Sequence, residues 1–175
     1  MIEIRSVLDD AFADGPRKPS IVKPYVLSHG TLESRSLYES RRFYEEFLGL
    51  ECVQHSPVSM AVRCGLKFHV ICVERGESLR PVSYLNHWGV DVSSREEVDA
   101  AHASALAEGM QRYGIRAVKD VVEQHGVYSF YFEDLDYNWW EIQYYEAGFQ
   151  HTDIFEFGDV FDTSLSPKRA QASVG

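Results

Sequence analysis

The chain contains no Gly-x-Gly-x-x-Gly and no Gly-x-x-x-x-Gly-Lys, so nothing in it signals a nucleotide cradle. Gly-x-Ser-x-Gly is absent as well, and no cysteine has the local context of a nucleophile. Cysteine itself is sparse. Cys52, Cys64 and Cys72 are three, so at least one is unpaired, and no Cys-x-x-Cys occurs. That is the pattern of a reducing compartment, with thiols serving as small apolar groups. No apolar run approaches the length of a membrane span, and the first residues lack the apolar stretch of a secretory signal. These absences point to a cytoplasmic protein with no membrane partner. Positive charge is in short supply: 17 Lys and Arg face 27 Asp and Glu, a net charge of −10. Such a chain is a poor partner for nucleic acid or an anionic membrane surface. A small acidic substrate stays open, because a metal sets local charge whatever the net charge is.

What the chain does have is a repeated layout. His29 stands in Tyr25-Val26-Leu27-Ser28-His29-Gly30, and His87 in Tyr84-Leu85-Asn86-His87-Trp88-Gly89. Seven residues after each comes a helix-capping signal, Ser36-x-x-Glu39 and Ser94-x-x-Glu97. Apolar residues at Leu37, Tyr44, Phe47 and Leu48 then follow helical spacing, and Gly49 supplies a stop. In the second half Val98, Ala101, Ala105 and Tyr113 do the same, with Gly114 as the stop. The strand candidates are 25–32, 50–55, 59–64 and 67–74, then 84–92, 115–122, 127–132 and 139–145. The order is β-α-β-β-β twice, an α+β chain. It predicts two βαβββ modules that form paired curved sheets around a metal cavity, with the helices outside. The expected division is an N-terminal arm (1–23), a main domain (24–146, with modules 24–75 and 83–146) and a C-terminal extension (147–175). At 175 residues and 45% hydrophobic content, the chain is long enough to bury such a core.

His29, His87 and Glu141 fall on strand segments at matching points of this repeat. Two imidazoles and a carboxylate on one side of an ion leave adjacent coordination positions open, a donor set that favours Fe(II). His69, in Lys67-Phe68-His69-Val70-Ile71-Cys72, is a candidate proton shuttle, a candidate fourth ligand, or a half-buried structural histidine. Tyr131 is either a phenol that hydrogen-bonds a metal-held oxygen or a core aromatic. His125, at a turn before Gly126, is either a solvent-exposed residue or an acid at the cavity mouth. Tyr44, Trp88 and Trp140 read as packing residues.

A duplicated β-α-β-β-β unit with these histidines and this glutamate resembles the vicinal oxygen chelate superfamily, which includes glyoxalases, bleomycin- and fosfomycin-resistance proteins and type I extradiol dioxygenases. The resemblance covers roughly residues 24–146. Within the superfamily, Tyr131-Phe132-Glu133-Asp134-Leu135-Asp136-Tyr137-Asn138-Trp139-Trp140-Glu141 looks most like the extradiol signature. Leu135 stands where that signature has proline, and Tyr137 where it has glycine. The resemblance implies a ring-cleaving dioxygenase that takes a small aromatic diol and O2, with Fe(II) on His29, His87 and Glu141. His69, Tyr131 and His125 would then act on the substrate. Mn(II), Zn(II), Ni(II) or Co(II) are the other candidate ions, and Zn, Ni or Co would serve the rival reading, a glyoxalase-like isomerase with four ligands. A drug-binding resistance protein is a third, non-enzymatic reading. The expected assembly is a homo-oligomer. The aromatics Phe149, Phe155, Phe157 and Phe161 are expected to pack over the cavity rim or across a subunit contact.

Overall fold

A computed structural model describes residues 20–21, 27–65, 68–124 and 126–147. The expectations for His125, for the N-terminal arm up to Pro19 and for the aromatic segment 149–163 lie outside these residues. The chain divides into two compact units, with the boundary between Leu79 and Arg80.

The first unit runs β1 (His29–Ser34), α1 (Leu37–Arg42), β2 (Glu51–Ser56), β3 (Ser59–Arg63) and β4 (His69–Glu74). Among the described residues these strands form a four-stranded sheet in the order β1-β4-β3-β2. β1 and β4 are parallel; the other pairs are antiparallel. The helix winds on as a π turn over Phe43–Phe47 and stops at Gly49, whose φ of +67° only glycine adopts easily. One sheet face is covered. Leu32, Met60, Val62, Val70 and Cys72 are buried on it, with Leu37, Phe43 and Tyr44 of the helix. Ser34 and Ser40, both fully buried, share a hydroxyl contact of 2.6 Å between sheet and helix.

The second unit repeats the plan with β5 (His87–Asp91), α2 (Arg95–Ser104), β6 (Ala117–Val118), β7 (Val122–Gln124), β8 (Val127–Glu133) and β9 (Trp139–Tyr145). The sheet order is β5-β9-β8-β6, with β7 also on β8. β5 and β9 are the parallel pair. α2 again passes into a π turn, Ala105–Gly109, before Gly114 ends the helical stretch. Phe130, Phe132, Trp140 and Ile142 are buried on one face with Val98 and Ala105 of the helix. The α+β architecture with one sheet per module agrees with the sequence reading.

Local departures have physical causes. The strand expected over 115–122 is broken into β6 and β7: the ladder with β8 runs to Val118, Lys119 still donates to the Tyr131 carbonyl, and pairing resumes at Val122. Both capping boxes differ from expectation. Ser36 makes no side-chain cap; the amide of Leu37 donates instead to Glu74 Oε2 at 2.8 Å, a carboxylate brought in by β4. Ser94 does accept from the amide of Glu97. The returning Glu97 carboxylate takes the amide of Ser93, one residue earlier than a standard box.

The β8–β9 turn is organised by Asp134, which is fully buried. Its carboxylate accepts from the amides of Asp136 and Asn138 at 2.8 and 2.9 Å and from Trp140 Nε1 at 3.0 Å. Tyr137 sits at φ 69°, the left-handed conformation glycine prefers. The Arg116 guanidinium lies 4.0 Å over its ring. The turn therefore survives without proline or glycine, at a cost of roughly 1–2 kcal/mol at Tyr137.

Burial pushes the Asp134 carboxyl up to about 7; Asp136 adds to the push, and the donors pull against it. A carboxyl raised in the folded state favours folding while protonated and loses that advantage as pH rises from its ordinary value towards 7. Asp134→Asn should cost about 1–3 kcal/mol through a lost acceptor. The difference in melting temperature between wild type and variant should shrink between pH 4 and 7. A constant difference would show that Asp134 does not titrate there.

Candidate metal centre

In each unit the helix covers one sheet face and leaves the other open. Side chains alternate between faces along a strand, so the register decides what the open face carries. In the second unit Gly89 pairs with Glu141, and Glu141 with Tyr131. Two residues along, His87 pairs with Trp139. His87, Trp139, Glu141, Tyr131 and Ser129 therefore share the open face.

The side chains make a directed arrangement. His87 Nδ1 lies 2.8 Å from the carbonyl oxygen of Tyr84. A carbonyl only accepts, so Nδ1 carries the hydrogen, which leaves the Nε2 lone pair turned to Glu141 Oε2 at 3.2 Å. Two acceptors do not face each other at that distance unless a cation lies between them, either a proton on Nε2 or a metal ion. The other carboxylate oxygen, Oε1, accepts from Ser129 Oγ at 2.7 Å, and Glu141 is only 8% exposed. The Tyr131 ring meets His87 edge-on at 4.9 Å, and its phenol hydrogen-bonds Glu141. Burial, reinforced by that carboxylate, pushes the phenol up to about 12. Tyr131 is therefore a hydrogen-bond donor at neutral pH rather than a base.

In the first unit β1 and β4 place His29 directly beside His69. Their rings lie 5.6 Å apart and 22° from parallel. Ser28 Oγ is 2.8 Å from His29 Nδ1. His69 also lines an open hollow of about 320 Å³ with Glu51, Val53, Ala61, Arg63 and Phe68. The repeat adds a further point. β1–β4 and β5–β9 are equivalent pairs, so the counterpart of Glu141 in the first unit is Ile71, two residues beyond His69. The first unit thus offers imidazoles from this strand pair and no matching carboxylate.

Each unit brings together part of the expected site: His29 with His69, and His87 with Glu141 and Tyr131. Within neither unit, among the described residues, do three or more His, Cys, Asp or Glu side chains gather to hold a metal ion. The donors nonetheless suit a first-row divalent ion: imidazole nitrogens and a carboxylate, with the His87 tautomer and the Glu141 rotamer each set by a further hydrogen bond. The sequence reading missed Ser129 and the Tyr84 carbonyl. Ser129 was legible in principle, two residues before Tyr131 and so on the same strand face. The carbonyl contact depends on a turn at 84–86 where a strand was expected. Tyr44 and Trp140 are buried, as packing residues should be. His102 stacks edge-on against Phe130 on the helix side, away from the open face.

No family model matches this sequence, and no curated protein matches it. Solved structures do. A lactoylglutathione lyase from Agrobacterium tumefaciens is 22% identical, with 73% of this chain and 96% of that one covered at a TM-score of 0.51. A genomically encoded fosfomycin resistance protein from Listeria monocytogenes is 25% identical, with coverage of 66% and 87% and a TM-score of 0.53. A glyoxalase/bleomycin resistance/dioxygenase protein from Alicyclobacillus acidocaldarius is 22% identical, with coverage of 67% and 89% and a TM-score of 0.51. The fold is the vicinal oxygen chelate fold. Proteins of this fold include enzymes, the lyase among them. No helix among the described residues is long and apolar enough to cross a membrane.

If Ser129 holds Glu141 for a metal, Ser129→Ala should weaken Zn(II) or Mn(II) affinity by about 10-fold or more while the fold persists. Equilibrium dialysis with a melting curve checks this. Unchanged affinity would reduce the Ser129 contact to core satisfaction.

Proposed function

We propose that the chain is a metal-dependent enzyme that holds a divalent ion with His29, His87 and Glu141 and acts on a small molecule presenting two neighbouring oxygens. The class we favour is the glyoxalase-like one, a proton-moving isomerase or related enzyme. The observation that carries the metal reading is His87 Nε2 set 3.2 Å from the Glu141 carboxylate, with the Tyr84 carbonyl on the opposite ring nitrogen, a spacing that a shared metal ion accounts for. The likeness to a lactoylglutathione lyase and a fosfomycin resistance protein supports the choice of class.

When bound, the ion supplies Lewis-acid polarisation of substrate oxygens. The chain's own residues do the rest. Ser129 keeps the Glu141 carboxylate turned to His87. Tyr131 donates a hydrogen bond and stays protonated, which favours a substrate oxygen that gains negative charge. His69 is half-buried on the open face beside His29 and can take a proton from substrate at one ring nitrogen and return it.

Extradiol cleavage of a small aromatic diol with Fe(II) and O2 is the second reading. The direct pairing of Tyr131 with Glu141 favours it, since the phenol and the proposed metal carboxylate occupy neighbouring positions. A homo-oligomer is proposed for either reading. Leu27 and Leu85, 81% and 73% exposed, lie two residues before His29 and His87, and apolar side chains in that position are suited to burial by another copy.

The test loads the protein anaerobically with Fe(II), Mn(II), Zn(II), Ni(II) or Co(II). Catechols are then added in air with an oxygen electrode, and 2-oxoaldehyde–thiol adducts are added in deuterated water with NMR detection. Deuterium incorporation without oxygen uptake supports the isomerase class. Catechol-dependent oxygen uptake and a visible ring-opened product replace it with the second reading. If none of these ions binds, both readings end. His69→Ala should keep a full complement of metal and lose on the order of 10²-fold in kcat. Loss of metal in that variant would instead make His69 a ligand.

A further inference from the structure

Beside the His87–Glu141 pair, the open face of the second unit carries an exposed cation flanked by two aromatic rings. Lys119 Nζ lies 4.3 Å from the centroid of Tyr84 and 5.7 Å from that of Trp139. Tyr84 meets Trp139 edge-on at 6.1 Å and Tyr131 at 6.0 Å. Tyr131 in turn meets His87 at 4.9 Å. The rings thus run without a break from the ammonium to the proposed metal donors. The backbone ties the group down: the Lys119 amide donates to the Tyr131 carbonyl at 2.8 Å, and Trp139 pairs with His87 across β9 and β5.

The charge pattern is unusual for this chain. Acids outnumber bases by 27 to 17. Most of the exposed arginines are paired with them, Arg80 being an exception: Arg41 with Glu45, Arg63 with Glu51, Arg95 with Glu123 and Glu146. Among the described residues no carboxylate is paired with Lys119; its recorded contacts are ring faces. A ring face stabilises a cation and takes up at most one of the three N–H donors of an ammonium at a time. The remaining donors stay available to an oxyanion on the open side. One ammonium matches one negative charge, and the surrounding rings suit a flat or apolar body.

We propose that Lys119, Tyr84 and Trp139 form the subsite that anchors a substrate's carboxylate, so that the enzyme takes a monoanionic substrate whose apolar or planar body extends along Tyr131 towards His87 and Glu141. The assignment rests on the reading of that pair as the reacting centre. Lys119 is a positioning residue, since it holds the substrate at a distance from the reacting atoms.

The test uses the full chain treated with EDTA and needs no turnover. Benzoate and its uncharged near-isostere benzamide are titrated separately, with the indole N–H signals followed by NMR. Benzoate should bind on the order of ten-fold tighter or more, the effect of one charge-assisted contact. The preference should fall to near one in Lys119→Met, which keeps the aliphatic stem, and persist in Lys119→Arg. The benzamide affinity should change little in either variant, and it reports that the aromatic walls are intact. Equal affinities in wild type, a preference that survives Lys119→Met, or no saturable binding of benzoate would overturn the subsite. Tighter binding of phenyl phosphate than of benzoate would overturn the monoanion assignment. Zinc uptake by wild type and His87→Ala, measured separately, tests the metal centre. Failure there, with the benzoate preference intact, would defeat the centre and leave the anion site standing.

Discussion

Each unit closes by pairing its first strand, in parallel, with its last, and the site depends on that pairing. Parallel neighbours cannot be joined by a tight turn; the chain must leave the sheet and return. Here the excursion contains the helix and the intervening antiparallel strands, and the helix packs on one face. The opposite face is left open with a fixed register. That register sets His29 beside His69, and His87 and Gly89 beside Trp139 and Glu141. A shift of one residue in β9 would send Glu141 to the helix side and bring Trp140 or Ile142 to the open face, burying a charge and exposing apolar surface. The buried cluster of Phe130, Phe132, Trp140 and Ile142 with Val98 and Ala105 resists that shift, so core packing and site geometry are the same constraint.

The two units use the plan unequally. The first presents imidazoles, with Ile71 at the place where the second has Glu141. The second presents an imidazole of set tautomer, a carboxylate held by Ser129 and a phenol kept protonated by burial and by that carboxylate. The strand equivalent to β9 in the first unit thus carries a histidine, His69, and no carboxylate at the position that matches Glu141.

The β8–β9 turn is held by a buried carboxylate and not by turn-forming residues. With Leu135 and Tyr137 in place of proline and glycine, the conformational preference of the turn is lost. Buried Asp134 replaces it with side-chain acceptors for two amides and an indole, and Arg116 covers the strained Tyr137. The benefit reaches the site, because this turn sets the register that puts Tyr131 opposite Glu141. Turn chemistry from the usual residues is local and entropic; here the same result comes from a buried polar network.

Much of this was legible in the order of residues. The repeat of histidine, cap, helix and strands fixes two similar modules, because periodicity and turn residues act over short spans that a sequence displays directly. The ten-residue step from Tyr131 to Glu141, with a turn between, already implies that the two face each other across a hairpin. What only the tertiary structure decided are contacts between segments far apart in the chain. Glu74 in place of Ser36 at the first helix start, the Tyr84 carbonyl that sets the His87 tautomer, and the meeting of Lys119 with Tyr84 and Trp139 all depend on backbone brought together by sheet pairing or by an irregular turn. No local pattern encodes such meetings, since each needs the path of the chain between its partners as well as the partners themselves.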